Sequence, residues 1–138
     1  MPHTRPFAEV LTKLRGVGLR PTRQRLALAK LLFDGKDRHV SAETLHDEAS
    51  DAGVAVSLAT VYNTLHQFTS AGLLREVVVD SGRTYFDTNT SEHHHFFFEE
   101  SGALQDISSD SIGVANLPPA PEGTEISSVE VVIRLRNL

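Results

Sequence analysis

Residues 57–86 read SLATVYNTLHQFTSAGLLREVVVDSGRTYF. Leu58, Val61, Leu65 and Phe68 recur at i, i+3, i+7 and i+10, one face of a helix, with Ser57 placed to cap it and Gly72 to end it. Then the period changes. Residues 74–79 and 83–86 are β-prone runs separated by Asp80-Ser81-Gly82, which predicts a hairpin. A helix that runs into a β-hairpin suits the last helix and wing of a winged helix-turn-helix, provided that other helices precede it.

They do. Phe7, Val10, Leu11 and Leu14 predict an amphipathic helix over 6–15, ended by Gly16 and Gly18. Pro21-Thr22 opens a second helix with Thr22 as cap, Leu28, Leu31 and Leu32 as its inner stripe and Gly35 beyond it. Ser41 caps a third, with Ala42, Leu45 and Ala49 inward and Gly53 as the stop. The expectation is an α+β protein: a winged-helix DNA-binding domain over 1–86, a hinge at 87–92 and a small, mostly β block over 93–138. In that second block, strands are expected over 94–98, 103–107 and 129–135, with a proline-rich loop at 117–123. Some 50 residues with few large apolar side chains bury little core, so pairing with a second copy is expected.

The net charge of −5 conceals an asymmetry. Residues 1–40 hold nine Lys/Arg against three acids, and residues 87–138 hold two against nine. This suggests two modules with different partners, although a solvated basic helix face has the same signature. The fourth helix leaves Ser57, Ala59, Thr60, Tyr62, Asn63, Thr64 and Gln67 outside its stripe, small or hydrogen-bonding groups able to approach base edges. Arg20, Arg23 and Arg25 flank the start of the second helix, suited to phosphates or a narrow minor groove. An ordinary polar helix surface is the competing explanation.

The chain has no cysteine, which excludes disulfides, thiolate nucleophiles and cysteine-bound zinc or iron–sulfur clusters. A metal site must draw on His, Asp and Glu. His93-His94-His95 is the candidate: along a strand His93 and His95 share one side and His94 the other. Two imidazoles at i, i+2 begin a divalent transition-metal site, with Asp87 and Asp106 as nearby oxygen donors and His39 as a ligand from the first block. A solvent-exposed strand is the alternative. His46 and His66 are read as surface or packing residues, and His3 as part of the N-terminal tail. Phe96-Phe97-Phe98 reads as core or dimer packing, and such a wall beside histidines also suits haem, leaving His93, His94 and His95 as its axial candidates. No acid–base pair spaced for catalysis stands beside the histidines, so a histidine–metal hydrolase is a remote alternative and no enzyme activity is expected. No apolar run approaches the roughly 20 residues of a membrane span, and no signal core is present, so a cytoplasmic protein is expected.

GLRPTRQRLALAKLL, HVSAETLHDEA, VSLATVYNTLHQFTSAGLL and EHHHFFFEESGALQDI together resemble the ferric uptake regulator (Fur) superfamily. The VYN sequence, HHHFFFE, the lack of cysteine and the short C-terminus are more similar to the iron response regulators of alphaproteobacteria. The resemblance implies that the block over 93–138 is an α/β dimerisation domain. It also implies a homodimer that represses iron and haem genes from an AT-rich inverted repeat of double-stranded DNA, in response to a divalent metal ion, haem or both. A manganese- or peroxide-responsive regulator is the alternative within the family. By position, Tyr62 matches the family's thymine-contacting tyrosine and Arg20 its minor-groove basic residue. The family's sensory site maps onto His39, Asp87, His93, His95 and Asp106, two of them Asp where the family usually has Glu. Phe98 and Ser101 stand where the family's first structural-zinc cysteine pair would be, and no His follows Asp106 to complete the other common site. One main site per chain is therefore expected, taking Mn2+, Fe2+ or Zn2+.

Overall fold

The structure is a computed structural model that describes residues 7–80 and 82–138; His3, Arg5 and Ser81 lie outside the described residues. By compactness the chain divides between Thr90 and Ser91.

The first unit holds α1 (Ala8–Gly16), α2 (Arg23–Phe33), β1 (His39–Val40), α3 (Ala42–Asp51), α4 (Leu58–Ser70), β2 (Arg75–Asp80) and β3 (Arg83–Asp87). Three helices start where a hydroxyl can accept a backbone N–H. Thr22 accepts from Arg25, Ser41 from Thr44 and Ser57 from Thr60, at 3.2, 3.1 and 3.1 Å. At the other ends of α3 and α4 the chain turns through Gly53 and Gly72 at φ 75° and 85°, a region costly for any residue with a Cβ. There the Val54 and Leu73 amides return to the Ala49 and Phe68 carbonyls at 2.8 and 2.9 Å.

Leu14, Leu28, Leu32, Leu45, Val61, Leu65, Phe68 and Phe86 form the centre of the core. The predicted stripes differ in detail: Phe7, the first residue of the stripe expected for α1, is 40% exposed. Leu58 is 37% exposed, whereas Thr64 is buried. Leu58 and Thr64 both lie at the edges of the arc that Val61, Leu65 and Phe68 define, and Leu58 is also the first residue of its helix. On α2, Ala29 is fully buried while Leu31 is only half-buried.

The hairpin β2–β3 is joined by β1 in an antiparallel sheet of order β1-β3-β2. The strand at 39–40 was not expected. Two residues are too short for a periodic signal, and only their pairing with Asp87 and Phe86 makes them a strand.

The second unit holds β4 (His93–Phe98), β5 (Leu104–Ser108), a 3-10 turn (Ser109–Ser111) and β6 (Val132–Leu135). Its sheet has the order β5-β4-β6, antiparallel between β4 and β5 and parallel between β4 and β6. Of the run 129–135, only the last four residues pair as a strand. Just before it, the Val131 amide donates to the His94 side chain while the Val131 carbonyl accepts from His95 N at 3.1 Å. The β4–β5 turn is closed by backbone bonds, Gly102 N to Phe98 O at 2.8 Å and Phe98 N to Ala103 O at 3.0 Å. Ser101 Oγ accepts from Ala103 N at 3.2 Å. Phe97 and Ile107 are the buried hydrophobic side chains described in this unit.

Candidate metal centre and nucleic-acid interface

In the first unit, antiparallel pairing sets His39 directly opposite Asp87. Nε2 of His39 lies 3.2 Å from Oδ2 of Asp87, whose side chain is 1% exposed. The other carboxylate oxygen, Oδ1, accepts from Asn89 N at 2.9 Å, which fixes the plane of the group. β1 is moored beside this pair. Arg38 N donates to Thr88 Oγ1 at 2.8 Å, and the Arg38 guanidinium reaches both Glu48 oxygens on α3 and the Leu31 carbonyl.

In the second unit, alternation along β4 puts the His93 and His95 rings together, 4.5 Å between centroids and edge to face. Asp106 faces them from β5, paired in register with His95. Its Oδ1 lies 3.3 Å from His93 Nε2 and 3.4 Å from His95 Nε2. Nδ1 of His93 is 2.6 Å from the Ser91 carbonyl, which can only accept. The ring proton therefore belongs on Nδ1, and in the neutral ring Nε2 carries the lone pair. A metal ion holds nitrogen and oxygen ligands at roughly 2.0–2.2 Å, so donors about 3–3.5 Å apart match the edges of its coordination shell. The donor chemistry and spacing of His93, His95 and Asp106 fit a divalent ion.

His94 points to the opposite side and does a different job. Its Nδ1 accepts from Val131 N at 3.0 Å, so its proton resides on Nε2 and its lone pair is engaged in fastening the segment before β6. Phe97 lies buried with the Arg134 guanidinium 5.5 Å from its ring centre.

α4 carries the candidate DNA residues in the first unit. Ser57 and Thr60 are both used locally: Ser57 Oγ accepts from the Thr60 amide and donates to Thr60 Oγ1 at 2.9 Å. Asn63 is exposed and lines a cleft of about 280 Å³ with Thr22, Gln24, Arg25 and Gln67. Arg20 and Arg23 are exposed. Arg25 is instead drawn inward, its guanidinium bonded to Gln67 on α4 and to the Arg20 carbonyl.

Tyr62 is 36% exposed and donates its hydroxyl proton to Glu43 Oε1 at 2.6 Å. That bond holds the Glu43 carboxyl below its ordinary value and, with the nearby negative charge, pushes the Tyr62 phenol up. Sequence reading missed Glu43. An acid in the first turn of α3 looks like ordinary dipole complementation, and nothing local signals a partner 19 residues away.

The profile of the ferric uptake regulator family matches residues 16–134. The chain belongs to this family. It is 36% identical over 102 residues to the ferric uptake regulation protein of Shigella flexneri, covering 73% of this chain and 69% of that one. Among solved structures, the ferric uptake regulator of Pseudomonas aeruginosa with manganese is similar at TM-score 0.70 and 28% identity, covering 92% of this chain and 96% of that one. The Vibrio cholerae ferric uptake regulator, described as revealing a rearrangement of its DNA-binding domains, matches at TM-score 0.73 and 25% identity, over 91% and 98%.

Membership fixes the level at which function is known. Family members are dimeric, DNA-binding, metal-responsive transcription regulators and not enzymes, which removes the hydrolase alternative. Among the described residues, no helix is long and apolar enough to cross a membrane.

Proposed function

We propose that this chain is a cytoplasmic, homodimeric repressor of iron and haem genes, of the iron response regulator type, acting at an AT-rich inverted repeat. The winged-helix domain over 1–86 reads DNA through Arg20, Arg23, Tyr62 and Asn63, with Ser57 and Thr60 shaping the start of α4. Residues 87–92 serve as the hinge and 93–138 as the dimerising, sensing domain. His93, His95 and Asp106 from the second unit and His39 and Asp87 from the first ligate one divalent ion per chain. The carrying observation is the convergence of two imidazole Nε2 atoms on one Asp106 oxygen, with the His93 tautomer fixed by Ser91.

An all-nitrogen-and-oxygen donor set suits Mn2+, Fe2+ and Zn2+. Manganese response is therefore the second reading, favoured by the likeness to a regulator solved with manganese. For haem the chain offers histidines, two tyrosines and one methionine as axial ligands and no cysteine, and the histidine run on β4 is the candidate. The Nε2 lone pair of His93 favours that residue over His94, whose lone pair is engaged by Val131 N. The deciding experiment is DNA binding by the purified protein with each metal and with haem, alongside a Soret titration of the wild type and the His93-His94-His95 triple-alanine variant. Haem that weakens DNA binding in the wild type alone supports the iron response regulator reading; metal dependence with no specific haem response rejects it in favour of a metal-only sensor.

A further inference from the structure

A cleft of about 370 Å³ between α3, α4 and the hairpin is lined by Glu43, Tyr62, Arg83, Thr84 and Tyr85. A tyrosine hydroxyl has one proton to donate and lone pairs to accept with. At Tyr62 that proton is committed to Glu43 Oε1 at 2.6 Å. The exposed tip of the pair consequently presents a phenol oxygen and a carboxylate, both able only to accept. Arg83, also in the lining, has its Nε 3.9 Å from Asp80 Oδ2.

We propose that Glu43 is a specificity-determining residue: by consuming the hydroxyl proton of Tyr62, it makes the tip of α4 an acceptor-only reader of DNA. The inference rests on α4 being the helix that enters the major groove. A tyrosine with a free proton would donate to phosphates, to guanine O6 and N7 and to thymine O4 alike. Held by Glu43, the hydroxyl accepts from adenine N6 or cytosine N4 amines and rejects guanine, while the ring remains available to a thymine methyl. The carboxylate also repels phosphates, so the pair cannot slip into a sequence-independent backbone contact.

The test uses the full-length, metal-loaded protein and a duplex that the wild type selects from a random pool, compared with a scrambled duplex at fixed salt. Glu43→Ala frees the proton and lowers the ratio of selected to scrambled affinity by about two- to fivefold, the range for an exposed charged contact. In a Tyr62→Phe background the same substitution shifts both affinities together and leaves the ratio unchanged, because no proton remains to be freed. A Glu43→Ala protein with the wild-type ratio overturns the proposal, as does an equal fall in both backgrounds. If Tyr62→Ala binds the selected duplex as the wild type does, Tyr62 does not read DNA, and the proposal falls with that premise.

Discussion

Arg25 on α2 grips a single atom of α4, donating from Nε and Nη2 to Gln67 Oε1 at 3.1 and 2.9 Å, while its Nη1 donates to the Arg20 carbonyl at 2.8 Å. One guanidinium thus fastens the candidate recognition helix to the segment that carries Arg20. Lysine cannot reproduce this planar fork. Arg25→Lys and Gln67→Ala should each lower unfolding stability by about 0.5–1 kcal/mol, and the double variant should be no worse than the poorer single one. Urea denaturation of the four proteins measures this.

Arg20→Ala and Tyr62→Ala should weaken DNA binding differently. Loss of Tyr62 should relax sequence preference, and loss of Arg20 should weaken sites with a narrow AT-rich groove most. Each should cost about 1–3 kcal/mol at its preferred site. Affinity measured at fixed salt on duplexes differing in A·T content checks both.

Metal binding should separate the three adjacent histidines. The His93→Ala, His95→Ala double variant should lose most Mn2+ or Zn2+ binding and keep its fold. His94→Ala should keep the ion and lose stability, because it deprives Val131 N of its acceptor. Calorimetric titration followed by thermal denaturation measures both effects on the same samples.

The Tyr62–Glu43 bond has a pH window. The Glu43 carboxyl is lowered, so the bond is present above the ordinary carboxylate value of 4.5 and is lost only as pH falls through the lower folded value. The Tyr62 phenol is raised, so the bond persists at the ordinary tyrosine value of 10.0 and breaks as pH climbs through the higher folded one. The chain has two tyrosines and no tryptophan, so tyrosinate absorbance follows the upper limb directly. Glu43→Gln should move the Tyr62 transition down toward its ordinary value.

The second unit described here buries few large apolar side chains, whereas Val114, Leu117, Ile126 and Ile133 are exposed. Light scattering at micromolar protein should report a dimer without DNA, and charged substitutions at these positions distinguish whether they help to bury one another.

What was legible followed from periodicity and caps. Thr22, Ser41 and Ser57 each accept the amide bond that places a helix start, and the hairpin stands where the period changes. The alternation that pairs His93 with His95 and turns His94 away was also readable, because a strand's side-chain period is fixed. Three things were not. β1 exists only through its partner β3. The roles of Arg25 and Glu43 depend on contacts 42 and 19 residues away in sequence. The tautomer of His93 is set by the Ser91 carbonyl, and a residue letter says nothing about where a backbone oxygen points.

The β4–β5 turn is closed by peptide hydrogen bonds at Phe98 and by the side chain of Ser101, the two positions where the family resemblance would place thiolates. A thiolate-bound zinc makes folding contingent on metal supply and on thiols staying reduced. Here that turn is indifferent to both. Zinc depletion or a thiol oxidant should therefore leave the closure of this turn intact, whatever either does at the histidines of β4.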